Sequence, residues 1–249
     1  MTPKEIEQIE LKYLNKFYYF LKYVEDEMMI GFKTKEKIYD DWKDKYDPKI
    51  SNFDRGAERI IYALFNGKGV GQPNSSPVGA DMFFEVEDAY IHIDLKTVEA
   101  DGNIGDYARN IFVGTNQNSY KAEIKKANGD SFRPIRYYEP SLPTFYNRGK
   151  NNEKICLSYF ITILHSKETL DILNINILSM PNGELEQHYK HRVLSAGKLK
   201  HEARFNFQEV NKFELLENTP SRVKVVYLDR DMKDEFESKL SFFKELCKC

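Results

Sequence analysis

Two apolar runs, "ICLSYFITILHS" (155–166) and "LDILNINILSM" (170–180), set the tightest limit on what this chain can fold into. Both are rich in Ile and Leu at consecutive positions rather than on one face, which reads as strands buried on both sides. Neither approaches the roughly 18 apolar residues needed to cross a bilayer. Such strands need cover on both faces, and helical patterns supply it. Residues 4–30 place Ile6, Ile9, Leu14, Phe17, Phe20 and Leu21 at helical spacing. "DRGAERIIYALFN" (54–66) reads as a second helix, with Asp54 as its cap and Gly67 as its stop. A charged helix, "DMKDEFESKLSFFKELCKC", closes the sequence, and strands are expected near 81–86, 90–97 and 222–229. The fold class that follows is α/β, with α+β as the alternative: a central mixed β-sheet flanked by helices.

Between these elements, "GKGVGQPNSSPVG" (67–79) reads as a loop. "DGNIGDYARNIFVGTNQNSY" (101–120) is expected to start as a turn and become helical near Tyr120. Residues 128–152, interrupted by Pro134, Pro140 and Pro143, read as an irregular excursion. With no repeat and no obvious linker, residues 1–249 are expected to form one domain.

The net charge of −2 argues mildly against a pure nucleic-acid binder, which is usually basic, but not against an enzyme with local basic patches. Cys156, Cys247 and Cys249 form neither a disulfide framework nor a zinc motif, and they read as reduced thiols of a cytoplasmic protein. The opening "MTPKEIEQIE" is too acidic and too broken for a secretion signal, and no membrane association is expected.

Eight residues from Asp81 to Asp106 are acidic, and Lys96 is the only Lys or Arg among them. In 90–96, Ile91, Ile93 and Leu95 alternate with His92, Asp94 and Lys96. A hairpin turning at Glu87–Asp88 would place Asp81 opposite Asp94. Directly opposed residues bring their Cβ atoms to about 4.5–5.5 Å, where two carboxylates repel unless a cation or proton lies between them. Mg²⁺ suits such a site, since it takes oxygen ligands, keeps several waters and binds carboxylates together with substrate phosphates. The chemistry expected is phosphodiester hydrolysis, with Lys96 orienting the attacking water or offsetting charge in the transition state. Acid-x-Lys triplets recur elsewhere, as in Glu10–Lys12 and Asp231–Lys233, but only Asp94–Lys96 lies in an alternating strand facing another Asp.

Asp81, a twelve-residue spacer and "DLK" at 94–96 resemble the PD-(D/E)xK nuclease superfamily and, within it, the type II restriction endonucleases. The resemblance spans residues 54–120, and Ala80 stands where the family pattern has proline. It implies a restriction-endonuclease-like sheet and a Mg²⁺-dependent, sequence-specific double-stranded DNA endonuclease. Its catalytic residues would be Asp81, Asp94, Lys96 and Glu58, the last from the helix ahead of the hairpin. The core would lie within 54–180. Two alternatives remain open: a structure- or damage-directed nuclease on the same core, and a non-catalytic DNA-binding protein.

Recognition is expected from 113–146 and 185–210. Asn116, Gln117 and Asn118 carry amides that can read adenine edges, although Gln117 or Tyr120 could instead brace the active site. Lys190, Arg192, Lys198, Lys200 and Arg204 form the strongest basic segment, with Gly197 leaving room for a phosphate. A palindromic duplex has two strands to cut and the chain shows one candidate site, so a homodimer is expected.

Overall fold

The computed structural model describes residues 1–37, 53–67, 80–125, 135–167, 171–197 and 202–248. The 68–79 part of the expected loop, Pro134, Lys198, Lys200 and Cys249 therefore lie outside the described residues.

The helices are α1 (Pro3–Tyr23), α2 (Glu25–Lys37), α3 (Phe53–Gly67), α4 (Ala100–Tyr107), α5 (Glu186–Tyr189), α6 (Asp234–Lys239) and α7 (Ser241–Leu246). The strands are β1 (Met82–Glu85), β2 (Ala89–Glu99), β3 (Ile111–Val113), β4 (Ala122–Lys125), β5 (Ile135–Tyr138), β6 (Phe145–Tyr146), β7 (Lys154–His165), β8 (Ile172–Met180), β9 (Leu194–Ala196), β10 (Ala203–Phe205) and β11 (Val223–Leu228). The main sheet runs β1-β2-β7-β8-β11, with β6 paired to the start of β7. Its β2–β7 pair is parallel and the others are antiparallel, which makes the sheet mixed. The two apolar runs are β7 and β8 at its centre, and every residue of β8 is buried.

Both faces are covered, as strands of this composition require. On one, Phe17 of α1 meets Tyr159 and Phe84, and Phe65 of α3 also reaches Phe84. On the other, Tyr107 of α4 hydrogen-bonds Thr162, and Phe205 of β10 lies against Phe160. Two further small sheets are β3-β10-β9 and the antiparallel pair β4–β5.

Several local readings change. The single helix expected over 4–30 is two, because the chain turns at fully buried Val24 and restarts on Glu25, Asp26 and Glu27, acids that suit a helix N-terminus. Helix α3 begins at Phe53, which puts Asp54 inside the first turn rather than at the cap. The segment expected to be a turn near residue 101 is helix α4, and Tyr120 lies in neither helix nor strand. Ala100, Ile104 and Tyr107 are the buried face of α4, while Gly102 and Gly105 look into open space. Two glycines on the outer face masked that periodicity. The excursion over 128–152 carries β5 and β6. The closing helix is two short ones with a break at Leu240.

Helix α1 is anchored by charge as well as by packing. Glu7 and Glu10 both contact Arg222, just ahead of β11, and all three side chains are at most 1% exposed. The Tyr189 hydroxyl donates to Glu7, and its ring lies under the Arg222 guanidinium. Burial and the neighbouring Glu7 push the Glu10 carboxyl up from its usual range, while Arg222 and the Asn182 amide oppose the shift.

Candidate active site

The hairpin forms with the expected turn: Val86 N–H donates to the Ala89 carbonyl at 3.0 Å across Glu87–Asp88. Asp88 at its tip is held by the Lys12 ammonium and the Tyr13 hydroxyl, so α1 fixes where the hairpin points. Phe84 pairs with Ile91, Phe83 with His92 and Met82 with Ile93. One step further, the register sets Asp81 across from Asp94. The Asp81 carboxylate accepts the Leu95 N–H at 2.6 Å.

Asp94 is 3% exposed. Its Oδ1 accepts from Gln117 Nε2 at 2.7 Å, and its Oδ2 is ion-paired with Lys96. Burial pushes its carboxyl up to about 7; Lys96 opposes the shift, and the charges of Asp81 and Glu58 add to it. Glu58 on α3 thus belongs to the same electrostatic site. With Arg59, Tyr62, Asp81 and Met82 it lines a cavity of about 280 Å³ beside the carboxylates.

Among the described residues, no three Asp, Glu, His or Cys side chains converge tightly enough to hold an ion alone. The donors present are carboxylate oxygens. His92, though on the same strand face, is fully buried, with its Nε2 3.0 Å from the Tyr146 hydroxyl and its ring near Phe83. The set therefore fits a hard, oxygen-seeking cation that completes its shell with water and substrate phosphate. It does not fit zinc.

The expected DNA-contact residues divide. Asn116 is exposed at the tip of a single 3₁₀ turn, and Lys190 is exposed with φ of 54°. Asn118 is fully buried: its Nδ2 donates to the Gly114 carbonyl and Tyr138 hydroxyl, and its Oδ1 accepts from Tyr120 N–H. It holds the loop and has no edge left for a base. Arg192 makes a bidentate pair with Glu214, 2.8 Å on each arm. Arg204 donates to the Ala196 carbonyl and lies over the Phe112 ring. Gly197 serves its own turn, since a Cβ there would meet Glu202 at 2.3 Å. The sequence reading passed over Arg59 and Tyr62; the visible signal was their place opposite Ala57, Ile61 and Phe65, the buried stripe of α3.

Two solved structures share this architecture. One is the restriction endonuclease BglI bound to its DNA recognition sequence, with a TM-score of 0.66, 17% identity and 92% of each chain covered. The other is the tetrameric restriction endonuclease SfiI bound to cognate DNA, with a TM-score of 0.69, 15% identity, and 93% of this chain and 88% of that one covered. No curated protein sequence matches significantly. Residues 2–169 match the family described as "Type II restriction enzyme MwoI, N-terminal domain", and residues 172–228 match the corresponding central domain. The matched span carries the whole carboxylate hairpin, so the chain belongs to the MwoI family of type II restriction enzymes and is a sequence-specific DNA endonuclease.

Proposed function

We propose that this endonuclease cleaves with Mg²⁺ held between Asp81 and Asp94, assisted by Lys96 and supported by Glu58. The observation that carries the reading is the pair of opposed carboxylates with the Lys96 ammonium drawn against one of them. When bound, the cation would polarise the scissile phosphate and lower the pKa of a bound water. Asp81 and Asp94 supply the negative oxygens that attract it. Lys96 holds a positive N–H donor where negative charge develops on the phosphate, and it can hydrogen-bond the attacking water. Glu58, from the cavity rim, adds a third carboxylate able to orient water. Asn116 and Lys190, both at the surface, are the proposed direct contacts of the recognition segments 113–146 and 185–210. Arg192 and Arg204 would have to leave their present partners to reach DNA, and Lys198 and Lys200, between them in sequence, are proposed contacts of the same segment.

The working unit we propose is a cytoplasmic homodimer of one-domain chains, with the catalytic core in 54–180 and one subunit cutting each strand of a palindromic site. Incubation with phage DNA and Mg²⁺, followed by sequencing of the fragment ends, gives the site and overhang. Asp81→Asn and Asp94→Asn should then abolish cleavage while DNA binding in Ca²⁺ persists. Full activity in either variant would end the metal assignment.

A further inference from the structure

We infer that Gln117 is a positioning residue that fixes Asp94 and Lys96 relative to each other and ties both to the 114–118 loop. The inference rests on the roles proposed above for Asp94 and Lys96. Gln117 Nε2 donates to Asp94 Oδ1 at 2.7 Å, and its Oε1 accepts from Lys96 Nζ at 3.2 Å and from Gly114 N–H at 2.7 Å. The Gly114 amide can only donate, so it fixes which end of the carboxamide is oxygen; the NH₂ must then face the carboxylate.

The local fold explains how the side chain comes to lie there. Gly114 caps the single 3₁₀ turn Thr115–Gln117, and a Gln at the third position of such a turn can reach back to the cap amide. A Cβ on residue 114 would stand 2.9 Å from Asn116 Oδ1 and 3.3 Å from Gln117 Oε1, so glycine gives the carboxamide its room. The Gly114 carbonyl is gripped by Asn118 Nδ2 at 3.1 Å and by the Tyr138 hydroxyl at 2.9 Å, and Ser141 N–H donates to the Thr115 carbonyl at 2.7 Å. The loop is thereby pinned, and Gln117 transmits its position to the catalytic strand. This use also conflicts with base reading. Bidentate recognition of adenine needs a free donor and a free acceptor on one carboxamide, and both lone pairs of Oε1 are already engaged.

The test compares Gln117→Ala and Gln117→Glu with the parent enzyme for single-turnover cleavage in Mg²⁺, DNA affinity in Ca²⁺ and metal-free melting temperature. Displacing a reacting group by about 1 Å can cost about 100-fold in rate, so Gln117→Ala should cut about 100-fold more slowly with DNA affinity within about 2-fold of the parent. Gln117→Glu should be slower still, because it keeps the acceptor for Gly114 and Lys96 but sets a like charge against Asp94. Parental rates in both variants, or a loss of rate matched by an equal loss of affinity, would overturn the inference. If Gln117→Ala fails to fold, Gly114→Ala keeps the glutamine and crowds its carboxamide together with the Asn116 side chain, whose effect on DNA contact the affinity in Ca²⁺ reads separately. Slower cutting at unchanged affinity then supports the inference, and an unchanged rate defeats it. Asp94→Asn separates the two levels: activity there would sink the underlying reading, whereas its inactivity beside a fully active Gln117→Ala would sink this inference alone.

Discussion

At Asp94, the burial that lifts its carboxyl to about 7 also makes the ionised side chain a cost to the folded state. An unfolded Asp titrates near 3.9, so folding favours the protonated form. The penalty is absent at low pH and grows as pH rises, reaching its full size above about 7. Asp94→Asn removes it while keeping an acceptor for Gln117. The metal-free variant is therefore expected to melt several degrees higher than the parent at pH 8, with little difference near pH 4. Calorimetry at both pH values checks this, and an unchanged or lower melting temperature at pH 8 would contradict it. Lys96→Ala should abolish cleavage yet leave calorimetric Mg²⁺ binding largely intact. If it weakens only DNA affinity, Lys96 is a phosphate clamp and its place in the chemistry is wrong.

The hairpin and its supporting helices are set in place by separate devices. Helix α1 starts with a capping box, Thr2 N–H to the Glu5 carboxylate at 2.6 Å and Glu5 N–H to the Thr2 hydroxyl at 3.3 Å. It is then locked against the far side of the sheet by Arg222. Removing one partner of a fully buried ion pair strands the other charge and costs about 3–5 kcal/mol, so Arg222→Met should destabilise by about that amount. Replacing Glu7, Glu10 and Arg222 together by apolar residues should cost less than the single change. Urea titrations of both variants test the comparison. Equal losses would mean that lost packing around Arg222, rather than stranded carboxylates, sets the cost.

For the molecule as a whole, the one proposed catalytic hairpin among the described residues and two strands per duplex make a homodimer the assembly we expect. Light scattering of the complex with DNA in Ca²⁺ should give a protein mass twice the 29.3 kDa of one chain. One chain per duplex, with both strands still cut in Mg²⁺, would point instead to sequential nicking by a monomer.

The sequence by itself determined the parts of this protein that depend on short-range periodicity. The apolar runs of β7 and β8 read as central strands, and they are. The alternation of 90–96 and a two-residue turn specified the hairpin register, because a slip by one residue would have moved Asp94 to the opposite face. The proximity of Asp81 to Asp94 was legible for that reason. Other features involve partners far apart in the chain, and only the tertiary structure decided them. Arg222 meets Glu7 from 215 residues away, and nothing local marks either as buried. Arg192 and Arg204 read as free cations until Glu214, Asp106 and Phe112 came beside them. Gln117 and Asn118 are adjacent amides of similar chemistry, yet one reaches Asp94 and Lys96 and the other is sealed inside the loop. The loop's backbone path made that choice, and side-chain type could not have revealed it.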